Sequence, residues 1–209
     1  KIDFEMVDAG NISFEGGAIE TNGLRTFLTT EECLIENRHV GTKEEINFML
    51  NKFLGATNVV WLNKGLINDH TDGHVDDIAR FVAPSKILCA YEDSLEDENF
   101  ERLSENFKIL ENSVDQAGNK FEIIKLPMPH MHYADGDKNH HNMKAPVSYA
   151  NFYIGNKAVL VPTFSDPNDE KAFSIIKSCF PEREVVGLDC RDLIYGGGAI
   201  HCITQQEPA

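Results

Sequence analysis

A thiol, an imidazole, two carboxylates and an amide stand at turn-rich points far apart in this sequence. Glu15 precedes Gly16-Gly17, His74 and Asp76 lie in Thr71-Asp-Gly-His-Val-Asp76, Asn151 follows Ser148-Tyr-Ala, and Cys202 follows Gly196-Gly197-Gly198. Thiolate is the strong nucleophile among side chains, and a neighbouring imidazolium lowers its pKa. Carboxylates around a Cys–His pair repel anions and hold a planar cation through paired hydrogen bonds. A guanidinium has that shape and charge, and its central carbon is open to attack once it is held against the thiol. His74 is the expected acid/base. In an extended segment Gly198, Ile200, Cys202 and Thr204 share one face while His201 points to the other, and on the same assumption His74 and Asp76 share a face.

Elements must bring these residues together, and the pattern that does so is repetitive. Thr42-Lys-Glu-Glu45 is a capping box ahead of Ile46, Met49, Leu50, Phe53 and Leu54, and Gly55 ends that helix. A strand-like run (25–35) precedes it and another, 58–62, follows. The second copy predicts strands over 77–83 and 87–91, a helix marked by Phe100, Leu103, Phe107, Leu110 and Val114, and a strand over 121–126. The third predicts strands over 147–154 and 158–164, a helix capped by Asp166 with Pro167 in its first turn, and a strand over 184–188. The closing strands begin near 58, 121 and 184, an even spacing of 63 residues, which predicts an α/β fold of repeated ββαβ modules. Glu15-Gly-Gly-Ala-Ile19 echoes Gly196-Gly-Gly-Ala-Ile200. A ring of such modules turns the starts of its first strands, and with them the five polar residues, toward one axis. A generic α/β sandwich is the alternative.

Composition narrows the partners. The 209 residues carry 19 Lys plus Arg against 34 Asp plus Glu, a net charge of −15. Nucleic acid is therefore not an expected partner, and no apolar run approaches the ~20 residues of a membrane span. Acidic balance fits a cationic small molecule. Five cysteines at irregular spacing match neither a disulfide framework nor a zinc ribbon and point to a reducing, cytoplasmic compartment. Cys33, Cys89 and Cys179 sit among apolar neighbours as core residues. Assembly into a homo-oligomer is left open.

The segments Glu15-Gly-Gly, T-T-E-E-C-L-I-E-N-R, T-D-G-H-V-D-D-I-A-R-F-V and G-G-G-A-I-H-C-I-T-Q-Q-E-P together resemble the agmatine deiminase family. That family belongs to the guanidino-group-modifying enzymes, alongside bacterial peptidylarginine deiminases. The resemblance covers about residues 11–208. It implies a five-bladed α/β propeller (pentein fold) with the active site on its axis. Carried over by motif, Cys202 is the nucleophile that forms a covalent amidino-thioether, and His74 is the acid/base. Glu15 and Asp76 grip the guanidinium, while Asn151, Gly197 and Gly198 line the substrate pocket. Agmatine gives N-carbamoylputrescine and ammonia without metal or organic cofactor.

Two departures stand out. The family's W-x-R-D segment is absent, since the one tryptophan, Trp61, lies in W-L-N-K. A closed five-module ring needs on the order of 300 residues at this repeat length, so residues 1–209 are expected to be the C-terminal portion of one catalytic domain, with N-terminal modules missing. His70 stands where many relatives carry an acid, which bears on one substrate contact. Peptidylarginine or free arginine is the alternative substrate. More distant readings are a metal-dependent hydrolase on His70 and His74 with the nearby aspartates, or an inactive binding subunit. The histidines of the 125–144 loop (130, 132, 140 and 141) read as a surface flap able to hold a metal incidentally. The acidic stretch 92–111 reads as a solvated helix face.

Overall fold

The computed structural model describes residues 13–133 and 143–206; His140 and His141 lie outside them. Three copies of one unit follow each other. In the first, β1 (Glu20–Thr21) runs antiparallel to β2 (Thr26–Thr30), α1 (Lys43–Leu54) crosses over, and β3 (Asn58–Leu62) pairs parallel to β2. The second has β4 (Ala79–Ala83), β5 (Lys86–Tyr91), α2 (Phe100–Asn112) and β6 (Glu122–Pro127), and the third has β7 (Tyr153–Ile154), β8 (Ala158–Thr163), α3 (Asp169–Cys179) and β9 (Glu184–Asp189). Each set of strands forms its own three-stranded sheet with the same antiparallel-then-parallel order. The repeat expected from the sequence is present as ββαβ.

Local chemistry explains the elements that match. Thr42 accepts from the Glu45 backbone N–H while the Glu45 side chain accepts from the Thr42 N–H, and Gly55 ends α1 in the left-handed region at φ 71°. These contacts satisfy backbone groups that every helix end leaves open.

Several expected boundaries move, each for a nearby reason. The run 25–35 is a strand only to Thr30; Glu32–Asn37 forms a π-helical turn, and the Thr30 hydroxyl accepts from the Cys33 N–H at 3.2 Å. The strand expected from 77 starts at Ala79 because Val75–Asp77 coils into a 3₁₀ turn. Over 147–154 only Tyr153–Ile154 is strand, since Ser148 Oγ accepts from the Ala150 N–H and bends the chain. Asn168, not Asp166, is the residue before α3; Asp166 instead accepts from the Asn168 N–H at 2.8 Å. The acidic stretch from 92 becomes helical only at Phe100, and Glu92 is buried rather than solvated. Cys202, expected to open a further strand, lies in a 3₁₀ turn, His201–Ile203.

The first two closing strands pack against the next unit. Val60 and Leu62 of β3 join the cluster of Ile78, Phe81 and Ile87, and Leu126 of β6 joins that of Val159 and Val161. Leu62, Leu126 and Leu188 occupy equivalent register positions, paired with Thr30, Ala90 and Pro162. Leu62 and Leu126 are fully buried, whereas Leu188 is 40% exposed. In the third unit that position has no following unit against it.

Candidate functional site

Four turns build the site: one before the first unit, one at each of the two junctions between units, and one after the third. Gly16–Ala18 forms a 3₁₀ turn directly after Glu15. Asp69 shapes the second: its Oδ2 accepts from the N–H groups of Gly73 at 2.9 Å and His74 at 3.1 Å, and Gly73 adopts φ 96°. That clamp takes the backbone out of the extended form and delivers His74 and Asp76 from the start of a 3₁₀ turn, not from one strand face. The third is the bend that carries Asn151. The fourth starts at Leu193–Gly196, passes through Gly197 at φ 95°, and ends in the Cys202 turn.

Arg80, fully buried on β4, ties three units together behind these turns. Its Nε donates to Glu20 Oε2 at 3.0 Å, and its Nη1 donates to the carbonyls of Ala150 and Phe152 at 3.0 and 2.7 Å. The segment holding Asn151 is thus fixed from behind.

A cavity of about 410 Å³ opens at the convergence, lined by Glu15, His74, Asp76, Gly197, Gly198 and Cys202, among others. Asn151 sits behind its wall. Its Nδ2 donates to Asp76 Oδ2 and to Cys202 Sγ, both at 3.2 Å, while its Oδ1 accepts from the His201 and Cys202 N–H groups at 2.9 and 3.4 Å. One amide thereby locks the thiol turn onto the carboxylate. Two glycines permit the close packing. A Cβ on Gly17 would lie 2.5 Å from His74 Nδ1 and 2.8 Å from Asp76 Oδ2, and one on Gly198 would lie 2.6 Å from Cys202 Sγ.

Polar contacts separate the roles of the two acids. Glu15 Oε2 is 2.5 Å from His74 Nε2 and also accepts from Arg38 Nη2 at 3.2 Å, and Glu15 is half exposed. Asp76 is fully buried: Oδ2 receives Asn151 and His201 Nδ1, the latter at 2.7 Å. Oδ1 has no hydrogen-bond partner among the described residues. Its nearest cationic candidate is His74 Nδ1, at 4.0 Å. An orphaned carboxylate oxygen in a buried setting is costly.

Burial pushes the Cys202 thiol above its ordinary range, and the charges of Asp77 and Asp76 push it further. Burial, followed by the Asp76 charge, also raises the Asp77 carboxyl well above the usual carboxylate range. The expected lowering of the thiol pKa by an adjacent imidazolium is not what this arrangement does. Sγ contacts Asn151 and, at 3.8 Å, Asp76 Oδ2, and no hydrogen bond joins it to His74. A cation placed between thiol and carboxylates would supply the missing positive charge.

Asp76, Asp77 and Cys202 also present atoms within 4.8 Å of one another, the spacing a metal ion needs. Burial and neighbouring acids favour the protonated forms of Asp77 and Cys202, so a divalent ion there would have to displace their protons. His70, expected in the metal alternative, is not in that group; it stacks on Tyr133 at the cavity edge, with ring centroids 6.3 Å apart. A second such group is Glu92, Asp97 and His130, where the Lys144 ammonium already pairs with Asp97.

Residues 2–208 match the sequence profile of the Porphyromonas-type peptidyl-arginine deiminases. The chain belongs to this family. Within the peptidyl-arginine deiminase family it is 40% identical over 210 residues to an agmatine deiminase of Pseudomonas syringae, covering 93% of this chain and 57% of that one. It superposes on a structure of the Enterococcus faecalis agmatine deiminase with TM-score 0.88 at 32% identity, over 97% of this chain and 58% of the other. The Campylobacter jejuni agmatine deiminase gives TM-score 0.79 at 30% identity, over 92% and 55%. The chain thus spans a little over half the length of the relatives it matches. Its three sheets are the repeated units of the pentein superfamily. None of the described helices is long and apolar enough to cross a membrane.

The site brings Glu15, His74, Asp76, Gly197, Gly198 and Cys202 to one cavity, with Asn151 immediately behind. Sequence reasoning set aside His201 because it assumed a strand there. In the 3₁₀ turn both His201 and Cys202 reach Asp76. The three glycines just before were the available signal, since they make strict alternation unreliable. Arg38 and Arg80 were not singled out; their partners lie tens of residues away in sequence.

Proposed function

We propose that the protein hydrolyses the guanidinium group of a cationic small molecule, agmatine, releasing N-carbamoylputrescine and ammonia. The observation that carries this reading is the convergence of Cys202 and Asp76, whose Oδ2 lies 3.8 Å from Sγ, on one cavity that His74 and Glu15 also line. Guanidinium N–H groups pair with the Asp76 carboxylate, and with Glu15 once Arg38 yields. The bound cation offsets the two carboxylates beside Cys202 and makes loss of the thiol proton easier. The thiol proton passes to His74, and the thiolate sulfur forms a bond to the guanidinium carbon. His74 gives that proton to the departing nitrogen, and ammonia leaves a covalent amidino-thioether on Cys202. Water adds to the same carbon as His74 takes its proton, and the C–S bond breaks to release a thiolate that His74 reprotonates. Each residue uses only protons exchanged with substrate and water, so no cofactor enters the scheme.

The three relatives described above are named agmatine deiminases, which favours agmatine over arginine or peptidyl-arginine. The exposed Leu188, buried at both equivalent positions, supports a further ββαβ module against β9 and a closed five-module ring, with this chain as its C-terminal part. All five cysteines are free, which suits a reducing, cytoplasmic compartment. The test is ammonia release from agmatine, arginine and a peptidyl-arginine by protein carrying this chain. The reading predicts turnover with agmatine that Cys202→Ala abolishes and Cys33→Ala leaves intact. Equal loss in both variants, or preference for another guanidinium compound, contradicts it.

A further inference from the structure

His201 has the geometry of a second functional imidazole, yet the proposed chemistry gives it no step. It is buried, and both its ends are fixed. Its backbone N–H donates to Asn151 O and Oδ1 at 3.1 and 2.9 Å. Its Nδ1 is 2.7 Å from Asp76 Oδ2, and its Nε2 is 3.3 Å from Gln206 Nε2. These two ring contacts fit one neutral tautomer, with Nδ1–H donating to Asp76 and Nε2 accepting from the Gln206 amide. Asp76 Oδ2 then takes donors from both Asn151 and His201, while Oδ1 is buried without a hydrogen-bond partner among the described residues.

We propose that His201 is a positioning residue for guanidinium recognition, holding the Asp76 carboxylate in one orientation at the cavity wall. This rests on the guanidinium reading of the site. Asn151 gives one N–H to Asp76 Oδ2 and the other to Cys202 Sγ, both at 3.2 Å, so His201 supplies the second and shorter protein contact on that oxygen, at 2.7 Å. Without His201 the buried carboxylate keeps only the longer contact and can shift to a pose in which the bound guanidinium no longer sits with its carbon against sulfur. His201 thus aims the carboxylate and does not touch the reacting atoms.

The test compares His201→Leu with His201→Asn, whose amide nitrogen can stand near the place of Nδ1. Two readouts are taken on each folded variant. One is kcat and KM for agmatine. The other needs no turnover: protection of Cys202 by agmatine against iodoacetamide, followed by peptide mass spectrometry. His201→Leu should weaken protection and kcat/KM roughly 10- to 100-fold, the size of losing a hydrogen bond to a buried charge. His201→Asn should recover most of both. Wild-type protection without turnover would reject the deiminase reading while leaving this one to be decided by the variants' protection constants. No protection in the wild type would overturn both. Protection by His201→Leu within twofold of wild type, or equal impairment in the Asn variant, would overturn the positioning role.

Discussion

Replacing Gly17 with alanine tests the site's tightest approach. The added Cβ would stand 2.5 Å from His74 Nδ1, 2.8 Å from Asp76 Oδ2 and 2.9 Å from Asp76 Cγ. That is about 1 Å inside the ~3.5 Å at which carbon atoms pack. Neither neighbour can step aside. Asp76 is fully buried and held by Asn151 and His201, and His74 is tied to Glu15. A shift of about 1 Å in a group that orients a reacting carbon costs on the order of 100-fold, equivalent to ~2.7 kcal/mol in the barrier. Overpacking should lower stability by about 1–3 kcal/mol as well. The comparison variant is Gly23→Ala. Gly23 has φ 72° with nothing within 4 Å of the added Cβ, so it carries backbone strain of roughly 1–2 kcal/mol without touching the site. Steady-state kinetics on agmatine and urea denaturation of both variants separate the two effects. A folded Gly17→Ala protein with kcat/KM within threefold of wild type, or an equal activity loss in Gly23→Ala, would refute the steric reasoning.

Other perturbations have defined outcomes. Asn151→Leu keeps similar volume but strips Asp76 and Cys202 of their shared donor; kcat/KM should fall at least about tenfold, and wild-type kinetics would mean the amide is only filler. Thr42→Ala removes one half of the α1 capping box and should cost ~1 kcal/mol in denaturant unfolding with unchanged kinetics. Burial pushes the Cys33 and Cys89 thiols up to about 12, from 9.0. Above pH 9 the unfolded chain loses those protons while the native state keeps them, so stability should decline between pH 9 and 12 by up to ~1.4 kcal/mol per pH unit for each thiol. Urea midpoints at pH 8.5 and 10.5 should show a shallower decline in Cys89→Ala than in wild type; identical declines would contradict the assignment.

Elements governed by neighbours in sequence were readable from it. The Thr42–Glu45 box, Gly55 and the three closing strands follow from capping chemistry and β-rich runs, and they appear where expected to within a residue. The candidate site was legible as a set of residue types, because glycines mark the turns at Glu15, His74 and Cys202, though none stands beside Asn151. Its geometry was not. The 3₁₀ turns at Val75–Asp77 and His201–Ile203 depend on Asp69 clamping two N–H groups and on Asn151 accepting from residues 50 positions away. No period along the chain encodes such contacts. The same holds for Glu92, drawn inside by His130 across 38 residues of sequence, and for Arg80, whose partners belong to the first and third units. Side-chain alternation misplaced His201 because it presumes a strand that the Asn151 contacts do not allow.

The central claim is that Cys202 attacks a guanidinium carbon held by Asp76. Rapid acid quench of the protein during turnover of agmatine, followed by mass spectrometry of the Cys202 peptide, tests it most directly. The account predicts an amidino adduct on Cys202 and on no other cysteine, accumulating further in His74→Ala. Turnover with the Cys202 peptide unmodified at every quench time, or with the adduct on Cys33, would contradict it.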